Sequence, residues 1–317
     1  MNNLKKIGLS ALAGSLVATS AFAGEMAVGG SAKATFTDRE TGTITGNQIG
    51  MNKGLTFTGS GDLDSGHSIK VYTALNGTSR SSSSITYDMG DMGSLTLDNG
   101  VGGHGIGSID DKTPTANEEI WDNITNATES YLVGVGNGGA LAYKTTFGGV
   151  TASVDYMKQG GGSLEDGATG AAGTGSAKSI ALTTTVADGF DVGFGTGTAG
   201  TSDASVDAKQ QTVFANYAVG GITVGLQLSE EDTSGSDDWV STQWGVSFNV
   251  SDNMSVAYGE RTIDIDDTPI DQEDSGLSAS YTMGSMSIKA NLNKSDDQNG
   301  SAASDKETTE IAVSFAF

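Results

Sequence analysis

The chain has 317 residues, of which 39 are acidic and 16 are basic, and it contains no cysteine. The lack of cysteine excludes a disulfide framework and any thiolate site, and a formal net charge of −23 disfavours a nucleic-acid partner. A hydrophobic fraction of 36% is below that of an ordinary globular domain, but ten Phe, eight Tyr and three Trp argue against disorder.

The first 23 residues have the composition of a secretory signal peptide. Lys5 and Lys6 precede an apolar stretch over 7–18, and Ala21-Phe22-Ala23 forms an A-x-A cleavage site. The apolar stretch is too short to span a bilayer as a helix. We therefore predict export, cleavage near Ala23 and a mature chain over 24–317, the alternative being a retained amphipathic helix.

From residue 25 to the end, apolar and polar residues alternate with a period of two, which predicts β-strands. The second, fourth and eighth runs are less regular, so strand counts from fourteen to eighteen stay open. Lys53 falls on the apolar parity of the second run, which suggests a bulge or a shifted boundary there. The sixteen predicted runs are 25–36, 49–60, 66–75, 83–89, 92–99, 138–147, 149–158, 177–187, 189–199, 207–219, 220–230, 239–250, 252–262, 275–283, 285–294 and 307–317.

The connections between these runs alternate in length. Short turns rich in Gly, Asp and Asn alternate with long polar loops, so that every long loop falls at one end of the strands. Short periplasmic turns and long extracellular loops are typical of transmembrane barrels. The long loops are predicted over 37–48, 76–82, 100–131, 159–176, 200–206, 231–238, 263–274 and 295–306.

Aromatic residues fall on the apolar parity near both ends of the strands, and aliphatic residues lie between them. Membrane interfaces select this distribution, whereas the core of a soluble sandwich would concentrate aromatic rings at mid-strand. Because backbone groups in hydrocarbon must pair internally, the strands must also close on themselves. The predicted fold is all-β: a 16-stranded antiparallel transmembrane β-barrel whose apolar face meets outer-membrane lipid.

Together these features resemble the Gram-negative general porins, especially the Gly- and Asp-rich alphaproteobacterial type. The resemblance covers the signal peptide, the strands, the long loop after the fifth strand and the C-terminal Phe317. It implies the outer membrane of a Gram-negative bacterium, a homotrimer, and a closing segment "IAVSFAF" that the outer-membrane assembly machinery reads. One local feature favours the trimer, because the first strand presents mostly small outward residues: Val28, Gly30, Ala32 and Ala34.

Loop 100–131 follows the fifth strand, and the resemblance implies that it folds into the lumen as a constriction. It would then present carboxylates to a basic patch on the opposite wall, and the resulting transverse field would bias ion passage. The acidic candidates are Asp110, Asp111, Glu118, Glu119 and Asp122. The basic candidates on inward parity are Lys33, Lys70, Arg80, Lys144, Arg261 and Lys289. The alternatives are solvated external charges for the acids and ordinary lumen charges for the bases.

A second acidic cluster lies in the seventh long loop. Its carboxylates suit a divalent cation, but their spacing is not that of an EF-hand, and a diffuse solvated cluster is the preferred interpretation. The four residues are Asp264, Asp266, Asp267 and Asp271. No cofactor motif and no nucleophile–base–acid pattern is evident, so no catalytic residue is predicted.

The predicted function is a water-filled channel for passive diffusion of small hydrophilic solutes and ions. Loss of Lys5 and Lys6 would take the net charge from −23 to −25, and an acidic aqueous path concentrates cations, so the channel is expected to prefer cations. Two alternatives stay open: an acidic β-rich secreted surface or adhesive protein, and a substrate-specific porin. A barrel enzyme would need a catalytic constellation at its outer rim, and none is assembled in the sequence.

Overall fold

The computed structural model describes most of residues 24–317. No helix among these residues is long and apolar enough to cross a membrane. The predicted signal peptide lies outside the described residues, as do parts of several long loops. The described residues are 24–40, 47–124, 132, 134–135, 139–158, 176–200, 207–233, 238–302 and 304–317.

The described residues form sixteen β-strands. Each strand pairs antiparallel with the next, and the last pairs with the first, so the sheet is a closed barrel. The predicted fold class and strand number are confirmed. The strands are β1 Met26–Glu40, β2 Ile49–Asp62, β3 Ser68–Asn76, β4 Ser79–Asp88, β5 Ser94–Asn99, β6 Ala140–Phe147, β7 Val150–Met157, β8 Ala177–Ala187, β9 Phe190–Gly200, β10 Asp207–Val219, β11 Ile222–Thr233, β12 Trp239–Ser251, β13 Met254–Ile265, β14 Gln272–Met283, β15 Met286–Asp296 and β16 Lys306–Ala316.

The last residue of the chain closes the seam between β1 and β16. The Phe317 N–H donates to the Gly30 carbonyl at 3.0 Å, and the Gly30 N–H donates to the Phe317 carbonyl at 2.7 Å. A Cβ atom at Gly30 would overlap the Phe317 ring, so the glycine leaves room for that ring on the outer face. The barrel therefore has no free strand edge at this seam, as hydrocarbon requires.

The two faces of the strands differ as the period-two pattern predicts. In β12, Val240, Trp244 and Phe248 are exposed on the outside, whereas Ser241 and Gln243 are buried on the inside. The same alternation runs around the barrel, which places an apolar band where lipid would lie. The buried inner face shows that something other than water fills part of the lumen.

The predicted long loop over 76–82 is wrong. β3 and β4 are joined by a turn of two residues, Gly77 and Thr78, and Gly77 has a φ of 62°. Glycine with positive φ at the first central position is favoured in two-residue hairpins. The serine-rich stretch that follows therefore pairs as a strand. At this point the long-loop end of the barrel carries only a short turn.

A β-bulge in this hairpin overturns the predicted inward orientation of Arg80. The register shifts between Ala74 and Leu75, so that Arg80 pairs with Leu75, which itself pairs with the exposed Leu55. Arg80 Nη1 donates to Ser83 Oγ at 2.9 Å. Because paired residues share a face, Arg80 lies on the outer face near the long-loop rim.

Lys53 also faces outward, and neither a bulge nor a shifted boundary reverses it. It pairs with Ala32 of β1 in an uninterrupted register, and Ala32 lies on the outward parity of its strand. A lysine on a lipid-facing wall is unfavourable unless it reaches an interface or a protein neighbour. Lys53 and Arg80 thus mark the outer face of β2–β4 as unusually polar.

Candidate functional site

The connection between β5 and β6 enters the barrel, and its described residues, chiefly 100–124, form a constriction loop. The Ile106 N–H donates to Ser179 Oγ of β8 at 2.8 Å. The Lys112 N–H donates to Gln227 Oε1 of β11 at 2.6 Å. Polar side chains of the inner wall thus bind the loop backbone directly, which is why so many of them are buried.

The far end of the loop is tied to the strands that flank the seam. Asn293 Nδ2 of β15 donates to the Asp122 carbonyl at 3.0 Å, and Asn123 Nδ2 donates to Glu310 Oε2 of β16 at 3.0 Å. Arg39 Nε of β1 donates to the Asn123 carbonyl at 3.0 Å. The described residues of the loop make no hydrogen bond to β2, β3 or β4, so the open lumen lies between the loop and that wall.

A transverse row of glycines makes room for the loop. In β11 to β14, four inward glycines pair directly with one another in register: Gly225, Gly245, Gly259 and Gly276. A Cβ at Gly245 would lie 2.7 Å from the Pro114 carbonyl oxygen, and one at Gly276 would lie 2.8 Å from Ile120 Cβ. The loop therefore rests on bare backbone across four strands, closer to the wall than side chains would allow.

Arg261 lies behind the loop, which overturns its predicted place on the pore wall. It is 1% exposed, and its Nη2 lies 2.6 Å from Asp274 Oδ2. The Trp121 ring covers its guanidinium, with 3.7 Å between Arg261 Cζ and the ring centroid. Arg261 therefore fastens the loop to β13 rather than meeting solutes.

The acidic candidates lie on the loop in two groups. Asp110 borders a cavity of about 150 Å³, and Asp111 Oδ1 accepts from the Thr113 N–H at 3.0 Å and from Gln243 Nε2 at 3.2 Å. The other group, Glu118, Glu119 and Asp122, lies near the seam. All five are only partly buried.

Burial raises the pKa of four of these carboxyls above the usual 3.8 for Asp and 4.5 for Glu. The negative charge of neighbouring carboxylates adds to the rise in the pKa of three of them. At the fourth, Asp111, hydrogen bonds from Thr113 oppose the rise. The loop therefore holds protons more tightly than isolated carboxyls would. The four groups are Asp110, Asp111, Glu119 and Asp122.

The remaining basic candidates face the lumen. Lys33 Nζ lies 3.7 Å from Glu310 Oε1, beside the seam end of the loop. Lys70, Lys144 and Lys289 lie on the inward parity of β3, β6 and β15, opposite Thr86, Ser153 and Ala312 respectively. The structure thus pairs Lys33 with Glu310 of β16 and brings it near Asp122 of the loop, whereas the other three lysines are spread over separate sectors of the wall.

Comparison with protein-family models gives a match over nearly the whole chain. A model described as Gram-negative porin matches residues 8–317. The chain belongs to the Gram-negative porin family. The comparison with curated proteins gave no match, and the alphaproteobacterial type stays a prediction.

Solved porin structures share the fold of this porin. A multiply substituted mutant of Rh. blastica porin matches with a TM-score of 0.66 and 14% identity, over 92% of this chain and 100% of that one. The anion-selective porin from Comamonas acidovorans matches with 0.64 and 15%, over 92% and 99%. OmpT of Vibrio cholerae in its trimer form matches with 0.68 and 11%, over 93% and 100%. At these identities the likeness shows the fold alone.

The predicted divalent-cation cluster of this porin does not converge. Asp264 is the last but one residue of β13, and Asp266, Asp267 and Asp271 lie in the turn that follows. Within the residues that the structure describes, no three His, Asp or Glu side chains are placed to share a metal ion.

Sequence reasoning missed several charged residues of the inner wall of this porin. Glu310, Asp98 and Asp155 are buried on inward positions of β16, β5 and β7. His104 Nε2 lies 3.5 Å from Asp98 Oδ2 at the start of the loop. The sequence does show that these carboxylates fall on inward positions of their strands. Their burial could not be predicted, because it depends on the path of the loop.

Proposed function

We propose that this outer-membrane channel passes small hydrophilic solutes and ions and prefers cations. The observation that carries the proposal is the loop itself, which brings Asp110, Asp111, Glu118, Glu119 and Asp122 to one side of the narrowed lumen. Carboxylates at close quarters raise the local concentration of cations. The proposal uses no bound cofactor and no turnover, only size exclusion and electrostatic bias.

The opposite wall supplies the other half of the constriction. Lys33 and Lys70 project inward from β1 and β3 on that side, whereas Lys144 projects from β6 under the loop. The loop leaves the β2–β4 wall uncovered, so a solute passes between the acidic loop and this sparsely basic wall. A transverse field of this kind orients polar solutes and disfavours bulky apolar ones. Lys289 contributes positive charge to the wall of β15.

We infer that the porin is a homotrimer whose contact surface includes the outer faces of β1–β4. The small outward residues of β1 suit close contact with another wall, and OmpT of Vibrio cholerae was solved as a trimer. Lys53 and Arg80 support the same surface, because a protein neighbour can pair their charges whereas lipid hydrocarbon cannot. Phe317 is proposed as the residue that the outer-membrane assembly machinery reads.

The alternative of a secreted adhesive protein has lost its support, because the chain belongs to a family of channels. A substrate-specific porin would need a continuous ladder of aromatic or like-charged side chains along the lumen. The inward lysines described here lie in separate sectors instead. Non-specific diffusion is therefore the function that the site supports best.

Planar-bilayer conductance of the refolded protein under a KCl gradient tests the proposal. We expect conductance steps in groups of three and a reversal potential that favours K⁺. Absence of steps from folded, membrane-inserted protein would refute an open channel. A reversal potential that favours Cl⁻ would refute the cation preference while leaving the channel intact.

A further inference from the structure

A cavity of about 420 Å³ lies under the constriction loop, on the side of the short turns. Its roof is formed by the loop residues Ser108, Ile109 and Lys112, and its walls by β6–β10. Gly149, in the short turn between β6 and β7, lies at its edge. The short-turn end of a transmembrane barrel faces the periplasm, so the cavity lies on the periplasmic side of the constriction.

Two lysines converge on this cavity from different elements. Lys112 reaches it from the loop, and Lys144 reaches it from β6. Neither ammonium is within 4.0 Å of a carboxylate oxygen in the part of the chain that the structure describes. Two cations that lack an ion-pair partner and share one wall favour an anionic ligand.

Hydroxyl groups of the inner wall surround the lysines. Ser153 pairs with Lys144, and Thr151 pairs with Thr183, so these side chains form one continuous patch. Ser153 Oγ accepts a hydrogen bond from the Gly105 N–H at 2.9 Å, which leaves its own proton available to a ligand. The patch therefore offers neutral donors beside the two charges.

The cavity also has an apolar floor. Phe214 is buried on the inner wall of β10 and packs with Ile109 and Ala181, and all three line the cavity. A hydrated inorganic ion gains nothing from such a surface, whereas a ligand with a short hydrocarbon part buries apolar area there. The lining thus suits an organic anion better than an inorganic one.

One carboxylate lines the cavity, and two others lie beside its roof. Asp191 lines it, and its Oδ1 accepts a hydrogen bond from Thr185 Oγ1 at 2.5 Å. Asp110, the neighbour of the roof, borders a separate cavity with His104 and Asp155. Among the lining residues, Lys112 and Lys144 face a single carboxylate, Asp191. Asp110 and Asp111 flank the roof outside the lining, and their charges attract Lys112 from the loop.

We propose that this cavity is a binding subsite for small organic carboxylates such as succinate. The carboxylate groups bind Lys112 and Lys144, with hydrogen bonds from Ser153 and Thr183, and the hydrocarbon part packs on Phe214. The subsite rests on the proposed channel function and deepens it, because it gives a cation-preferring porin a place where organic anions pause during passage.

Single-channel recording of the refolded porin at low salt tests this proposal, with succinate or phosphate added at equal concentration. We expect succinate to cause brief blockades that phosphate causes much less often. The variant Lys112→Gln/Lys144→Gln should block about tenfold less often for each lysine removed, the size of one lost charge-assisted hydrogen bond. The matched control Lys289→Gln removes an inward lysine outside the cavity and should keep the succinate blockades while shifting the reversal potential.

The outcomes separate the subsite from the channel. Conductance steps without succinate blockades would overturn the subsite and leave the channel intact, whereas absence of steps would overturn the channel. Equal blockade by phosphate would overturn the preference for organic anions. Equal blockade in the double-lysine variant would overturn the assignment to Lys112 and Lys144. Lys144 is exposed, so Lys144→Glu provides a second variant that is expected to fold and to lose the blockades.

Discussion

Trp121 stacks on Arg261, with 3.7 Å between the indole centroid and the guanidinium carbon, and this contact joins the constriction loop to the barrel wall. Below the ring, Arg261 Nε and Nη2 both donate to Asp274 Oδ2, at 2.8 and 2.6 Å. Gln272 Nε2 donates to the same carboxylate at 3.0 Å. The far half of the loop is thus fastened over a buried ion pair.

Removal of this arginine should destabilise the barrel. Arg261→Met leaves Asp274 buried without its cation, which typically costs about 3–5 kcal/mol, and it removes the partner of Trp121. We expect a lower urea midpoint in lipid vesicles and a noisier open-channel current.

The exposed pair Lys209–Asp232, 3.0 Å apart, provides the control. Lys209→Met should cost less than about 1 kcal/mol, because exposed ion pairs contribute little. Equal losses for the Lys209 and Arg261 variants would contradict a special role for Arg261.

The row of inward glycines predicts that a larger side chain between the loop and the wall will narrow the channel. A Cβ at Gly245 would lie 2.7 Å from the Pro114 carbonyl oxygen, so Gly245→Ala should displace the loop toward the lumen and lower the single-channel conductance. Gly59→Ala is the matched control, because no atom lies within 4 Å of the added Cβ. A fall in conductance of similar size in both variants would show that the loop is not the cause.

Ion preference should depend on pH above the usual range of carboxyl titration. Burial raises the pKa of Asp110, Asp111, Glu119 and Asp122, so they lose charge as pH falls while an isolated carboxyl is still ionised. We expect the reversal potential to move toward zero on acidification, with the change beginning above pH 4.5, the usual pKa of Glu. A preference that stays constant down to the usual pKa range would contradict this assignment.

The same shifts predict the direction of the change in stability. A carboxyl whose pKa is higher in the folded state binds more protons when folded, so the free energy of unfolding rises as pH falls through the raised pKa. The gain is complete below the usual 3.8 for Asp and 4.5 for Glu. As the pH falls from about 7.5 to about 4, the urea midpoint of the native porin should therefore rise relative to that of Asp111→Asn/Glu119→Gln.

Phe317 should have two separable roles: its backbone closes the barrel, and its ring acts as the signal for outer-membrane assembly. Deletion of Phe317 removes the two backbone hydrogen bonds to Gly30, so refolding into detergent should slow. Phe317→Leu keeps those bonds and loses only the ring, so it should refold normally in vitro but accumulate less in the outer membrane. Normal accumulation of the leucine variant would contradict the proposed assembly signal.

The period-two pattern predicts which face of the sheet each side chain lies on. It correctly predicts the number of strands and the inward orientation of Lys70, Lys144 and Lys289. It was wrong at Arg80, because a single bulge exchanges the two faces and leaves no mark on a serine-rich stretch. The sequence predicts a loop for the same stretch, since serine is common in turns, whereas the structure has only a two-residue hairpin at Gly77 and Thr78.

The path of the constriction loop could not be predicted from any one segment. Gly225, Gly245, Gly259 and Gly276 form a row only once the register of four strands is known, and each glycine alone looks like an ordinary weak point of a strand. Arg261 was correctly placed on the inner face, but its burial depends on Trp121, which is 140 positions earlier in the chain.

The tethers that hold the loop have a consequence for ionic strength. The loop is bound to the wall largely by neutral amides and hydroxyls, among them Ser179, Gln227 and Asn293, whereas its bias toward cations comes from carboxylates. Dissolved salt screens exposed charges over a Debye length of about 10 Å at 0.1 M and has little effect on neutral hydrogen bonds. Salinity should thus weaken the discrimination between ions without altering the size of solute admitted, so that sieving and charge selection respond independently to the surroundings of the cell.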